Sequence, residues 1–262
     1  MASGEPSKIQ FEAHIELYKL ENYTDQLMDT ARFHDYCPNG VQVEGRAEVF
    51  RLISGVTASL DLLKAAISAG ADAILVHHGY FWKSEDARIV GVKRARIELL
   101  LRHNVSLLAY HLPLDAHPVL GNNAQLAQKL GFVVGGGFGE QNIASHGVLV
   151  DALPLGELGE RVALVLGRAP LIIGDGDRVI RRIAWCSGAA QGYFEEAIRL
   201  GVDAFLTGEI SERCVHLARE TGVAFIAAGH HATERYGVQA LGAHLAEEFG
   251  ISHQFVDIDN PV

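Results

Sequence analysis

Ala73-Ile74-Leu75-Val76-His77-His78-Gly79-Tyr80-Phe81-Trp82 drives four apolar residues straight into two adjacent histidines and a glycine. So short an apolar run reads as a strand buried on both faces, as at the centre of a parallel sheet. Successive strand side chains point to opposite faces, so both imidazoles can serve one site only where the strand has ended. Gly79 supplies that break. In open α/β sheets, ligands bind at the carboxyl ends of such strands.

Around this stretch the pattern is β-α-β. Leu52 to Val56 reads as a strand, Leu60, Leu63 and Ile67 mark a helix face, and Gly70 follows as its cap. A helix near Val92 to His103 and a strand from Val105 to Tyr110 come next. That strand runs into His111-Leu112-Pro113-Leu114-Asp115-Ala116-His117-Pro118, whose two prolines predict a shaped loop. Upstream, Phe11 to Thr30 has amphipathic helical spacing, and Cys37 to Val43 reads as an Asn-Gly turn entering a strand. Downstream, Asn122 to Leu130 reads as a helix, and Gly135 to Gly139 as a hinge or turn.

The pattern then returns. Ile67-Ser68-Ala69-Gly70-Ala71-Asp72-Ala73-Ile74-Leu75 is echoed by Ile198-Arg199-Leu200-Gly201-Val202-Asp203-Ala204-Phe205-Leu206, at an offset of 198 − 67 = 131. Val223 to Ala228 matches the Val105 strand, and each runs into a histidine. The reading is an α/β chain of two similar βαβ-containing lobes with mainly parallel sheets, and a site between them at strand carboxyl ends. The lobes are expected near residues 1–134 and 135–262.

Composition sets bounds. Hydrophobic residues make up 48% of 262, which is ordinary for a globular protein, and no stretch approaches a membrane span. A net charge of −10 disfavours nucleic acid as a partner. Cys37, Cys186 and Cys214 form neither a disulfide framework nor a zinc knuckle, and Met1 to Pro6 lacks a leader pattern. Together these predict a cytoplasmic protein.

Three segments concentrate metal-ligand chemistry: His77-His78, His111-x-x-x-Asp115 and His230-His231-Ala232-Thr233-Glu234. Imidazole and carboxylate groups at strand ends suit borderline divalent metals such as zinc, manganese, iron or nickel. Six candidates, His77, His78, His111, Asp115, His230 and Glu234, are too many for one tetrahedral ion with an open position. They suit two ions ~3.5–4 Å apart. The last helix is expected to start near Thr233. His231 and Glu234 are the candidate catalytic residues, His231 as a general acid/base or substrate contact. Glu209 falls at the repeat position of His78, and the Ser187-Gly188-Ala189-Ala190 turn offers N–H groups to a phosphate.

On these motifs the chain resembles the YbgI-type, Nif-three-like dinuclear metal proteins, catalogued as GTP cyclohydrolase 1 type 2 homologues. The shared stretches include Pro38 to Gly45, Val76 to Lys83, His111 to His117, Gly121 to Ala124, Thr207 to Glu209 and Gly229 to Arg235. The resemblance implies a single domain of two lobes and the same six ligands, holding two divalent ions per subunit. It also implies a homohexamer with its metal sites facing an interior cavity. The expected activity is hydrolysis of a small molecule, a nucleotide or related cyclic amide, through metal-activated water. The alternative is a non-catalytic metal-binding assembly that binds a ligand or protein partner.

Overall fold

Alternate residues of the Ala73–His78 strand enter different cores. Ile74 and Val76 pack with Leu62, Leu63, Ile97 and Leu100, while Ala73 and Leu75 pack with Leu20, Met28, Leu241 and Leu245. Both faces are covered by helices, which is why the strand carries no polar residue until its end. The computed structural model describes residues 13–262. Of the opening amphipathic stretch, Leu17–Met28 is helical, and Phe11 and Glu12 lie outside the described residues.

The five-stranded sheet has the order Ser252–Phe255, Arg51–Thr57, Ala73–His78, Ser106–Ala109, Gly40–Val43, and only the last strand is antiparallel. Gly40 opens that strand at φ 97°, a conformation that favours glycine. The six-stranded sheet has a parallel centre, Val179–Trp185, Ala204–Thr207 and Ala224–Ala227, flanked by antiparallel strands. The C-terminal strand Ser252–Phe255 thus returns to the first sheet.

The repeat at offset 131 is physical. The Asp72 carboxylate accepts the N–H groups of Phe50 and Arg51 at 2.9 and 2.8 Å, and Asp203 accepts those of Arg181 and Arg182 at 3.0 and 2.8 Å. Asp72 thereby anchors the start of the Arg51–Thr57 strand, and Asp203 anchors the Val179–Trp185 strand at its register shift between Ile180 and Arg182. Arg46 and Arg178 lie against the two carboxylates at 2.6 and 3.6 Å.

Three local expectations are corrected. The segment after His111 is not a loop, because Leu112–Ala116 forms a short helix. Pro113 sits in its first turn, where the missing N–H would have no helical partner. Gly135, Gly136 and Gly137 belong to an edge strand, Phe132–Phe138, rather than a hinge, with a register shift between Val134 and Gly136. An edge strand tolerates glycine, and here it lies close against another, Gly147. The last helix begins at His230 and runs to Phe249, three residues earlier than its apolar face indicates.

That long helix joins the two cores. Ala232 and Tyr236 pack into the second sheet's core, and Val238, Leu241 and Leu245 into the first. Asp72 is the more buried of the paired aspartates. We therefore expect Asp72→Ala to lower unfolding free energy by ~2–3 kcal/mol and Asp203→Ala by less, since the former strands more buried donors. Chemical denaturation of both variants checks this order.

Candidate metal centre

Strand ends from both sheets deliver the six side chains to one place. His77 and His78 close the Ala73–His78 strand, and Gly79 follows as the break. The short helix Leu112–Ala116 winds back so that the Asp115 N–H bonds the His111 carbonyl at 3.2 Å, one turn apart. Starting the last helix at His230 puts Glu234 one turn further along the same face.

Among the described residues, four groups have ligand atoms mutually within 4.8 Å: His77, His78 and His111; His78, His230 and Glu234; His77, Asp115 and Glu234; and, on the outer side of His111, Asp35, Cys37 and His111. Glu234 is the link. Its Oε1 lies 3.5 Å from His77 Nε2, and its Oε2 lies 3.2 Å from both His78 Nε2 and His230 Nε2. Gly188, at φ 67°, passes so close that a Cβ there would fall 2.2 Å from Glu234 Oε1.

Each imidazole has a partner at Nδ1, which leaves Nε2 for the cluster. His77 meets the Tyr110 carbonyl at 2.9 Å, His78 the Thr57 hydroxyl at 3.2 Å, His111 the Asp35 carboxylate at 2.7 Å and His230 Glu209 at 2.7 Å. Such outer contacts fix tautomer and ring orientation in metal sites. Asp115 is held by the Asn122 amide and the Ser187 hydroxyl, both at 2.9 Å.

Burial and charge pull the groups apart. For His77, burial opposes protonation, but Asp115 and Glu234 raise it to about 10. Burial drives His78 down to about 3, with Glu234 opposing and the other three imidazoles adding to the shift. His230 also rises against burial, to about 9, beside Glu234 and Glu209. Burial works against the charge of Glu234 too, yet His78, His77 and His230 hold it well below the usual carboxylate range. Even so, His77 Nε2 and Glu234 Oε2 are buried without a hydrogen-bond partner. A buried imidazole nitrogen and a buried carboxylate oxygen, each within one of these ligand groups, fit divalent cations as their missing partners.

The cluster is one wall of a cleft of about 600 Å³, onto which His78, His111, Asp115, His230 and Glu234 open. His231 is not among its lining residues: its Nε2 is 2.7 Å from Asp257, and it borders a recess of about 150 Å³ behind His78 and His230. His117 accepts two backbone N–H groups of its own turn. Tyr80 is buried against the Ala58 carbonyl, whereas Trp82 lines the cleft, 4.9 Å edge-on to His111. Phe81 holds φ 64°, unusual for an aromatic residue, and its N–H and that of Trp82 donate to Glu85.

Asp35 is the residue that sequence reading missed. Its carboxylate accepts from His111 Nδ1, Tyr36 N, Leu112 N and Asn39 Nδ2 at 2.6–3.0 Å. Burial opposes its charge, but His111, Asn39 and Leu112 hold its pKa at about 2. It lies 76 residues from His111, and no local spacing announces it. Asn39, from the quoted Pro-Asn-Gly motif, adds a bond to His111 N at 2.8 Å.

The family profile described as Duf34/NIF3 (NGG1p interacting factor 3) matches residues 15–261. The chain belongs to this family. It is 56% identical over 250 residues to a Pseudomonas aeruginosa protein named GTP cyclohydrolase 1 type 2 homolog, covering 94% of this chain and 99% of that one. An Escherichia coli K12 protein of the same name is 49% identical over 244 residues, with 93% and 98% covered. Among solved structures, one titled "Structural genomics, protein ybgI, unknown function" superposes with TM-score 0.91 at 47% identity, covering 95% of this chain and all of its own. TTHA1606 from Thermus thermophilus superposes with TM-score 0.87 at 31% identity over 95% of this chain and all of its own.

Asp35→Asn would turn an amide NH₂ toward N–H donors and loosen His111. We expect metal affinity to fall ~10–100-fold, measured by competition with a chromophoric chelator. Gly188→Ala should also lower metal content by pushing Glu234 aside, while Gly192→Ala, with open space at its Cβ, should not.

Proposed function

We propose that this Duf34/NIF3 chain is a metal-dependent hydrolase with two divalent ions per subunit, held by His77, His78, His111, Asp115, His230 and Glu234. The observation that carries this reading is the open cleft: the cluster stands at the wall of a 600 Å³ space instead of being enclosed. A purely structural metal has no use for such access, which favours an enzyme over a non-catalytic assembly. Bound there, two cations would acidify a shared water and stabilise negative charge developing on a substrate oxygen.

The chain's own groups prepare that chemistry. Glu234 touches three of the four histidines, so it sets the spacing of the cluster and is the residue on which activity depends most. The four Nδ1 partners keep the imidazoles aimed without reorganisation. Aromatic residues at the mouth position a flat substrate and exclude water. The reaction we assign is opening of a cyclic amide, in a nucleotide or a related ring: water adds across the C–N bond, hydroxyl to carbon and proton to nitrogen. His231 would have to leave Asp257 to take part, and we assign it instead to holding the 257–262 segment, whose Val262 carbonyl accepts its N–H at 3.0 Å.

Elemental analysis after reconstitution with zinc, manganese or iron should give about two ions per subunit; one or none would sink this reading. Chelation should lower the midpoint of thermal unfolding, and reloading should restore it, because a cation bound only by the folded state stabilises it. Glu234→Gln should lose more metal than His231→Ala. The family resemblance also leads us to propose a homohexamer, which a light-scattering mass near the 28.4 kDa monomer would overturn.

A further inference from the structure

The cleft walls point to the class of molecule that enters. Tyr36, Trp82 and Tyr193 give it three aromatic faces, and Leu112, Ile143 and Ala190 add apolar surface. None of the described lining residues is lysine or arginine, and Glu140 contributes a carboxylate. The lysine beside this wall, Lys83, is committed to the Asp35 carbonyl. Three of the four N–H groups in the turn best shaped to cradle a phosphate, residues 187–190, are also engaged. Ser187 N–H donates to Asn123 at 2.9 Å, Gly188 N–H to Thr233 at 3.0 Å and Ala190 N–H to Thr207 at 3.2 Å. The side-chain amide of Gln141 is likewise used, with both ends on the His34 backbone at 2.8 and 3.1 Å.

The proposed metal centre is therefore the one cationic feature of the cleft among its described residues. A nucleoside triphosphate would have to choose. With its ring at the metals, its phosphates face Glu140 and apolar walls; with its phosphates at the metals, its ring is held away from the reacting centre. An uncharged ring meets no such conflict.

We propose that the cleft selects an uncharged, planar nitrogen heterocycle bearing an amide carbonyl (a nucleobase, nucleoside or cyclic imide) and disfavours its phosphorylated forms. This rests on the metal-dependent hydrolase reading for the cleft wall, and it departs from the GTP in the relatives' name.

The test is titration of the zinc-loaded full chain, read by tryptophan fluorescence and calorimetry, with metal content measured before and after. The probes are guanosine, inosine, uracil and hydantoin, set against guanosine monophosphate and GTP. At least one uncharged probe should bind ~10-fold or more tightly than either phosphorylated one, as expected when a ring seated at the metals leaves its phosphates against a carboxylate with no lysine or arginine to receive them. Trp82→Phe should remove the fluorescence change, and Tyr193→Ala should weaken binding roughly tenfold through lost stacking. Glu140→Gln should tighten guanosine monophosphate by a larger factor than guanosine. Tighter binding of either phosphorylated probe, or no binding by any uncharged one, would overturn the proposal. A ring that binds and is never opened would leave it standing and remove the hydrolase reading instead.

Discussion

Glu234 is a carboxylate with almost no access to water, set among three histidines and left with an oxygen that no hydrogen bond reaches. Burying such a charge is costly unless cations surround it. The architecture follows from meeting that demand. His77 and His78 come from one sheet, and His230 from the strand end of the other. The helix that carries Glu234 runs through both cores, so a shift of one half relative to the other would break the cluster.

Precision comes from the layer behind. Tyr110, Thr57, Asp35 and Glu209 each engage an Nδ1 atom; Thr57 lies on a strand, the Tyr110 N–H bonds the Val76 carbonyl at 3.1 Å, and Asp35 makes three further bonds. Asp35 shows the logic most fully: one carboxylate orients His111, fastens Leu112 where the short helix begins, and closes its own loop through Tyr36 and Asn39. The same short helix then presents Asp115 to Ser187 and Asn122. Ligand and scaffold are hard to separate here, because each bond serves both.

The duplicated frame carries unlike chemistry at its two ends. Asp72 and Asp203 repeat the same pair of backbone bonds, yet the strand that ends in His78 is matched by one leading to Glu209. One copy places an imidazole in the cluster; the other places a carboxylate behind an imidazole, 2.7 Å from His230 Nδ1. Similar strands have been put to complementary uses around a single cleft.

Much of this was legible in one dimension. An apolar run ending in His-His-Gly forces a buried strand to stop at a polar site, and the repeat at offset 131 predicts a second such strand. These are local statements about period and breakage, which a chain carries in its own order. Contacts between distant residues are not carried there. Asp35 and His111 are 76 residues apart, Gln141 and His34 are 107 apart, and nothing in either neighbourhood encodes the meeting. The same limit bears on the earlier start of the last helix, where the His231 N–H bonds the distant Val262 carbonyl at 3.0 Å, whereas the helix around Pro113 forms because a first turn tolerates proline. The residue types at the centre were determined by sequence alone. Which nitrogen each histidine presents, and that His231 turns toward Asp257 while His230 turns inward, was decided only when both sheets packed, because tautomer and rotamer answer to neighbours that folding supplies.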